Sequence, residues 1–458
     1  MRDYDLVVIG GGPGGYEAIL YAAEKYGMRT ALIEKEALGG TCLNHGCIPT
    51  KTLLHSADLY RQFMDCERFG LSAGQVSYDM EKIQARKSEV VNNLRSGIEL
   101  LMKQKKVDVI KGTGCIIGPN EVEAKDFEGN VKKLETEHIL IATGSCTSMP
   151  PIPGADLPGV YTSDTLLERK EEPFDHLLII GGGVIGMEFA SIYNSLGSKV
   201  TVLEAMPRII SNMDKELSQS LKMLMKKRGV AIITGAMVEK ICSSESGEGI
   251  LECTYKEKET VQSAKADGIL VCTGRRPYTT GLFGEGFTLS MERGCIVTAE
   301  NGETSVPGIY AIGDVTGGIM LAHAATAMGR NAVAHMNGAQ PPVNLSVIPA
   351  CIYTDPEIAS VGLTADQAKE LGIAAGSRKA LMTANGKTVL SGQERGFIKV
   401  VFEKETKKLL GAQMMCARAS DMISEFAQAI TTGLTLDQMY SVIRPHPTFS
   451  EAITEACN

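Results

Sequence analysis

Two cysteines five positions apart, Cys42 and Cys47 in GGTCLNHGCIPTK (residues 39–51), are the first residues whose type and spacing suggest chemistry. Neighbouring thiols can cycle between dithiol and disulfide, provided their Cα atoms come within about 7 Å. A regular α-helix would hold Cα atoms five apart at about 8.7 Å, from a rise of ~1.5 Å and a radius of ~2.3 Å. A bonded pair therefore requires distorted backbone between them. Asn44, Gly46 and Pro49 are residue types that break a regular helix. Two unrelated buried thiols are the plainer alternative. A zinc site is disfavoured, because no second Cys/His pair stands nearby.

Near the other end lies HPTFSE, residues 446–451. A histidine takes and returns protons near neutral pH, and a carboxylate can orient its ring. His446 and Glu451 could form such a pair. The same residues also read as packaging: Thr448-x-x-Glu451 is a capping box, and His446 sits between Pro445 and Pro447 as a surface-loop residue would. Local sequence leaves both readings open.

What must position these residues is visible as an internal repeat. Residues 5–15 read DLVVIGGGPGG and residues 177–186 read LLIIGGGVIG. Each is an apolar strand entering GxGxxG, at Gly10, Gly12 and Gly15 and again at Gly181, Gly183 and Gly186. Each continues into a helical stretch and a second strand ending in an acid, Glu34 and Glu204. The first glycine permits the tight turn, the second admits a pyrophosphate to the backbone, and the third lets helix and strand pack closely. The helix N-terminus attracts the phosphates, and the acid accepts from ribose hydroxyls. One fingerprint is weak evidence; two with the full strand–helix–strand context are strong. The cysteine pair directly follows the first unit, which favours a redox pair over two unrelated thiols.

Further strands, HILIATGS (138–145) and DGILVCTGRRP (267–277), both end in Thr-Gly, and GIYAIGD (308–314) ends at Asp314. The expected fold is α/β, with two dinucleotide-binding (Rossmann-like) domains, one inserted in the other, and a C-terminal α+β domain. The boundaries are 1–146 and 271–340 for the first domain, 147–270 for the inserted one and 341–458 for the last. Within the inserted domain Leu217, Leu221 and Leu224 have helical spacing from Asp214 to Gly229, and Met223 and Met225 are read as packing residues. In the last domain GFIKVVF and KLLGAQMM flank the turn EKETKK as a hairpin, and Met422, Ile423, Phe426 and Ile430 mark a helix stopping near Gly433.

Composition bounds the rest. Glycine is 49 of 458 residues, about 10.7% against a usual ~7%, as many tight turns and close backbone approaches require. A formal charge of −8 disfavours nucleic acid as the main partner. No apolar run has the roughly 18 residues of a membrane span; the longest, Leu177–Tyr193, is broken by glycines and Glu188. Asp3 and Asp5 precede a first apolar run that breaks at once into glycines, so no signal or transit peptide is read. A cytoplasmic location is expected, with most of the twelve cysteines serving as small buried apolar residues.

With these motifs, the chain resembles the pyridine-nucleotide disulfide oxidoreductases, and within them the dihydrolipoamide dehydrogenases. The resemblance covers essentially the whole length. It rests on both fingerprints, GGTCLNHGCIPTK, ATGS (142–145), TGRRP (273–277), AIGD (311–314), LAH (321–323), YTDPEIASVG (353–362) and HPTFSE. It implies FAD on the first fingerprint, NAD on the second, and Cys42–Cys47 as the redox disulfide beside the flavin. Lys51 and Glu188 would pair near the flavin ring, and Asp314, Met320, Leu321, Ala322 and His323 would contact FAD. Gly40, Thr41, Gly114, Thr143, Gly144, Ser145, Val238 and Gly274 complete the implied cofactor contacts. His446 would be the acid–base, oriented by Glu451, and the C-terminal domain would form a homodimer in which His446 reaches the other subunit's disulfide.

The activity so implied is oxidation of protein-bound dihydrolipoamide by NAD+. The partner would be a lipoyl-bearing protein of a 2-oxo acid dehydrogenase or glycine cleavage complex. Relatives of the fold fit less well. Mercuric reductases end in a vicinal cysteine pair, where this chain has EACN with Cys457 alone. Oxidases of the superfamily lack one member of the redox pair. Glutathione reductases place arginines on the first helix, where Leu20 and Tyr21 stand here. A reductase of a small disulfide and a non-catalytic flavoprotein component are the alternatives. One departure is Arg444, where dihydrolipoamide dehydrogenases often carry a second histidine.

Overall fold

The computed structural model describes residues 2–245, 247–393 and 396–458. The chain divides into two compact units. The first holds Met1–Thr52, Glu81–Ser148 and Gly274–Leu345, and the second Leu53–Met80, Met149–Thr273 and Ser346–Asn458.

In the first unit, β1 (Tyr4–Ile9), α1 (Pro13–Tyr26) and β2 (Thr30–Glu34) follow from the first fingerprint. Then come α2 (Gly40–His45), α3 (Cys47–Met64), α4 (Met80–Gln104), β3 (Asp108–Lys111), β4 (Thr113–Gly118), β5 (Glu121–Lys125) and β6 (Val131–Ile141). The sheet runs β3-β2-β1-β6, with Ile309–Ala311 on the far side of β6, all parallel. The N-terminal half of β6 continues into an antiparallel meander with β5 and β4. The apolar run of β1 is buried on both faces, as a central parallel strand must be. Leu6 and Val8 face helices with Ala18, Ile19 and Val333, whereas Val7 and Ile9 face the meander with Ile116 and Val122.

The second unit repeats this order. His176–Ile180 is central, flanked by Lys199–Glu204 and then Ala231–Thr234 on one side, and by Gly268–Val271 and then Val160–Thr162 on the other, all parallel. The fingerprint strand, the acid-bearing strand and the Thr-Gly strand thus hold equivalent places in both sheets. The helix Lys215–Lys227 starts at Asp214, whose carboxylate accepts from the Glu216 N–H and from Lys399 Nζ at 2.7 Å. Leu217, Leu221, Leu224 and Met225 are buried there, but Met223 is exposed, so it is not the packing residue that its sequence suggested. It lies between the inward-facing positions of the helix.

The C-terminal sheet is antiparallel, in the order Ala350–Ile352, Ile358–Gly362, Leu409–Met415, Phe397–Glu403, Ala375–Leu381. The hairpin pairs Phe397 with Met415, and the helix Ala419–Thr432 ends at Gly433 in left-handed geometry. Ile423 and Phe426 of that helix share a core with Ala452 and Ile453 of the last helix, Glu451–Cys457.

The later part of α3 carries a half-buried charge cluster in the second unit. Asp58, Arg61, Arg228 and Asp355 are linked by hydrogen bonds between Arg61 and both aspartates and between Arg228 and Asp355. Burial pushes the Asp58 carboxyl up to about 6, helped by Asp355 and Glu357 and opposed by Arg61 and Arg228. Its folded pKa thus exceeds its unfolded one, so the ionised form costs stability above about pH 6, and the cost vanishes as pH falls towards the unfolded value. Asp58→Asn is expected to stabilise the protein by about 1–3 kcal/mol at pH 8 and by about half as much at pH 5, read from thermal midpoints at the two pH values.

Candidate active site

The turn that carries Cys42 and Cys47 is built by glycines. Gly39 and Gly40 take positive φ values of 99° and 56°. A Cβ on Gly40 would lie 2.5 Å from the Cα of Gly12, so the turn is pressed against the first fingerprint. The chain makes one short helix, α2, and breaks at Gly46 (φ −144°, ψ −112°) before α3 starts at Cys47. This is the distortion that the cysteine spacing demanded. The break needs glycine for space as well, since a Cβ there would stand 2.9 Å from the Thr41 carbonyl oxygen.

Across the break the two thiols meet. Cys42 is half-buried and Cys47 exposed, and both are thiols. The Cys42 thiol is pushed far up, first by its hydrogen bond with Cys47 and then by burial, while the charge of Lys51 pulls it down. In the reduced pair the Cys42 thiol therefore holds its proton. Of the ten other cysteines, Cys66, Cys253, Cys272, Cys416 and Cys457 are buried; Cys115, Cys146, Cys242, Cys295 and Cys351 are only half-buried.

The two fingerprints have matching geometry. Gly10 and Gly181 have φ of 106° and 115°, where a Cβ would strike the carbonyl of Ala142 or Cys272. A Cβ on Gly15 or Gly186 would fall 1.9 Å from the carbonyl oxygen of Gly10 or Gly181. A Cβ on Gly183 would meet nothing within 4 Å, and one on Gly12 only Gly40 at 3.8 Å, so backbone here stays open to a phosphate. The acids match too. Glu34 accepts from the Gly11 and Glu36 N–H groups at 2.6 and 2.7 Å, and Glu204 from Gly182 and Met206 at 2.6 and 2.7 Å.

In the first unit Thr143–Ser145, Asp314 and the Met320–His323 stretch all follow the C-terminal ends of parallel strands, as Gly10–Gly15 do, and Glu34 is the last residue of its strand. That edge is where an open α/β sheet takes its ligand. Ser145 Oγ donates to Asp314 at 2.5 Å, and Thr143 Oγ1 donates to the Tyr278 carbonyl at 2.7 Å. Leu321 caps the helix Ala322–Met336, Met320 and Ala322 are half-buried, and His323 is exposed. Gly114 lies in β4, where a Cβ would press on Ile9. Gly274 has φ of 133°, and its carbonyl accepts from the Ser148 N–H. Arg275 was missed by sequence reasoning. Its guanidinium donates to Ser145 Oγ and to the Ser145 carbonyl, both at 2.8 Å, so it braces the Ser145–Asp314 contact. The open glycine turn, the carboxylate of Glu34 and the polar strand ends form a site that suits FAD.

In the second unit Val238 is half-buried in the strand Ala236–Ser243. Arg208 donates to the Met213 and Ser211 carbonyls, both at 2.6 Å, which folds the loop after Glu204 and occupies its guanidinium. Glu188 is buried in the helix Val184–Ser195 and accepts from the Tyr353 N–H at 3.1 Å.

His446 and Glu451 form a dyad. His446 Nδ1 lies 2.8 Å from one Glu451 oxygen, and the other oxygen accepts from the Thr448 N–H at 2.8 Å. Glu451 thus does what half a capping box does while also holding the imidazole. The Thr448 hydroxyl turns to the Pro445 carbonyl instead of completing the box. The Thr448 N–H and then His446 hold the Glu451 carboxyl below its ordinary range. The His446 side chain is 78% exposed, which leaves Nε2 open to solvent. Arg444, by contrast, is a buried clasp. It bonds the Met439 and Val442 carbonyls, Thr454 Oγ1 and the carboxylate of Glu425, and so fixes the base of the loop that carries His446.

Comparison with known families decides the class. Residues 4–329 match the family described as pyridine nucleotide-disulphide oxidoreductase, and residues 348–457 match that family's dimerisation domain. The chain belongs to this family. It is an oxidoreductase whose cofactors are FAD and a pyridine nucleotide. A dihydrolipoyl dehydrogenase of Bacillus subtilis is 42% identical over 99% of this chain and 97% of its own, and one from Trypanosoma brucei brucei is 38% identical over 99% and 96%. Among solved structures, the HOCl-induced flavoprotein disulfide reductase RclA from Escherichia coli is 31% identical with a TM-score of 0.87, covering 99% of each chain. LpdA from Mycobacterium tuberculosis is 27% identical with a TM-score of 0.91, covering 99% of this chain and 98% of its own. Among the described residues no helix is long and apolar enough to cross a membrane.

Proposed function

We propose that this flavoprotein disulfide oxidoreductase oxidises a dihydrolipoyl group carried by another protein, with NAD+ as the final acceptor. The observation that carries the reading is a pair of touching thiols, Cys42 and Cys47, in a chain that also holds the exposed His446–Glu451 dyad. The full-length relatives named dihydrolipoyl dehydrogenase support it.

In the reaction His446 Nε2 takes the proton of one substrate thiol, because the thiolate is the nucleophile. Glu451 holds the ring and stabilises its cationic form. The thiolate attacks Cys42 Sγ, the Cys42–Cys47 bond breaks, and Cys47 leaves as a thiolate. The second substrate thiol then attacks its own partner sulfur, closing the ring; Cys42 departs and takes up that thiol's proton. The product state is a Cys42 thiol beside a Cys47 thiolate. Lys51 would hold positive charge beside them. Bound FAD would supply the two-electron relay from dithiol to nicotinamide, chemistry that no side chain here provides. The enzyme works as a homodimer, with His446 serving the disulfide of the other subunit.

NAD is preferred over NADP in this reading. Glu204 still has lone pairs for the ribose 2′-hydroxyl, whereas a 2′-phosphate would face its carboxylate, and Arg208 is occupied by carbonyls. The expected preference is about 1–3 kcal/mol or more, the scale of a charged hydrogen bond lost and a repulsion gained. Catalytic efficiencies with the two nucleotides measure it, and Glu204→Ala should narrow the gap. Equal efficiencies in the wild type would refute it.

The likeness to the Escherichia coli reductase supports a second reading, a reductase of a disulfide fed by NAD(P)H. Purified protein assayed side by side with dihydrolipoamide and NAD+, and with glutathione disulfide and NADPH, separates the two. The first pair should turn over faster by orders of magnitude; the reverse order would reject the proposal.

A further inference from the structure

Asn44 lies between the redox cysteines and is buried. Its side-chain amide donates to the carbonyls of Ala37, Leu38 and Gly40 at 3.3, 3.2 and 2.9 Å. These carbonyls belong to the segment that enters α2, so one amide gathers the start of the redox turn onto its end. Its Oδ1 accepts two N–H groups from Arg95 on α4, from Nε at 3.2 Å and Nη2 at 2.6 Å. A forked, charged donor fixes an amide oxygen far better than one neutral bond does. It also prevents the amide from flipping, which would turn the NH2 group away from the three carbonyls.

We propose that Arg95 is a positioning residue for the redox pair: through Asn44 it locks the distorted turn in the form that holds Cys42 against Cys47. The inference rests on the reading of that pair as the redox disulfide. A disulfide within one chain is stabilised by whatever holds its two sulfurs together in the reduced state, since closure then needs little further ordering. Loosening the turn at Asn44 should therefore make the disulfide easier to reduce. Neither Arg95 nor Asn44 need touch substrate or cofactor for this effect.

The test equilibrates the holoenzyme in buffers of oxidised and reduced dithiothreitol, quenches with iodoacetamide and counts alkylated Cys42 and Cys47 by mass spectrometry. Arg95→Ala should shift the dithiol–disulfide equilibrium about tenfold towards the dithiol, and Arg95→Lys, with charge but no fork, by less. Asn44→Asp keeps an acceptor for Arg95 but loses the three donations, and should shift at least as far as Arg95→Ala. Thermal midpoints run in parallel show whether each variant folds; should Arg95→Ala fail to fold, Arg95→Lys and Asn44→Asp carry the test. If folded variants keep the wild-type equilibrium, Arg95 is only a tie between helices and the proposal is overturned. If the wild-type pair forms no disulfide in any buffer, the underlying reading of Cys42 and Cys47 fails instead.

Discussion

His446→Gln should slow oxidation of dihydrolipoamide by about 10²–10⁴-fold, the usual worth of a general base. Glutamine keeps the size and a polar tip but cannot take a thiol proton. NADH oxidation with an artificial acceptor, which needs no thiol deprotonation, should stay within a few-fold of wild type. FAD content should be unchanged, because His446 belongs to the C-terminal loop and not to either fingerprint. The assignment across subunits has its own check. Inactive His446→Gln and inactive Cys42→Ser subunits are mixed under conditions that exchange chains. Each mixed dimer would contain one site with both native groups, so activity should reappear. No return of activity after proven exchange would place the histidine in its own chain's site.

The second large effect concerns the paired fingerprints. A methyl on Gly15 would fall 1.9 Å from the Gly10 carbonyl oxygen, and one on Gly186 equally close to that of Gly181. Backbone must move in either case, since both obstacles are main-chain atoms. Gly15→Ala is expected to yield protein that has lost most of its yellow colour, measured as flavin absorbance per chain. Gly186→Ala should stay yellow but lose at least tenfold in NADH reduction of the flavin, because only the second nucleotide site is disturbed. Loss of flavin from both variants alike would contradict the separate assignment of the two sites.

The sequence makes both of these glycine turns legible for a local reason. Strand, glycine turn, helix and acid occur within about 30 residues, and the first and third glycines answer a steric demand of their own turn. The break between Cys42 and Cys47 was legible likewise, since the spacing is incompatible with a regular helix. What escaped sequence reasoning depends on residues far apart in the chain. Arg275 reaches Ser145 because the strand Arg275–Pro277 pairs with Ser145–Thr147. Arg95 reaches Asn44 from a separate helix. Arg444 reads in the sequence as a missing histidine and proves to be a buried clasp on Glu425 and Thr454. The even choice at Thr448-x-x-Glu451 had no single answer, because one carboxylate oxygen serves the backbone and the other the imidazole.

The most direct measurement is a single turnover without NAD+. Oxidised protein is mixed with one equivalent of dihydrolipoamide in the absence of oxygen, quenched with an alkylating agent, and both substrate and peptides are analysed. The account predicts one lipoamide formed per chain at most, with Cys42 and Cys47, and no other cysteine, becoming newly open to alkylation. If both are already fully alkylated before substrate is added, or if lipoamide forms while they remain unchanged, the reaction does not pass through this pair.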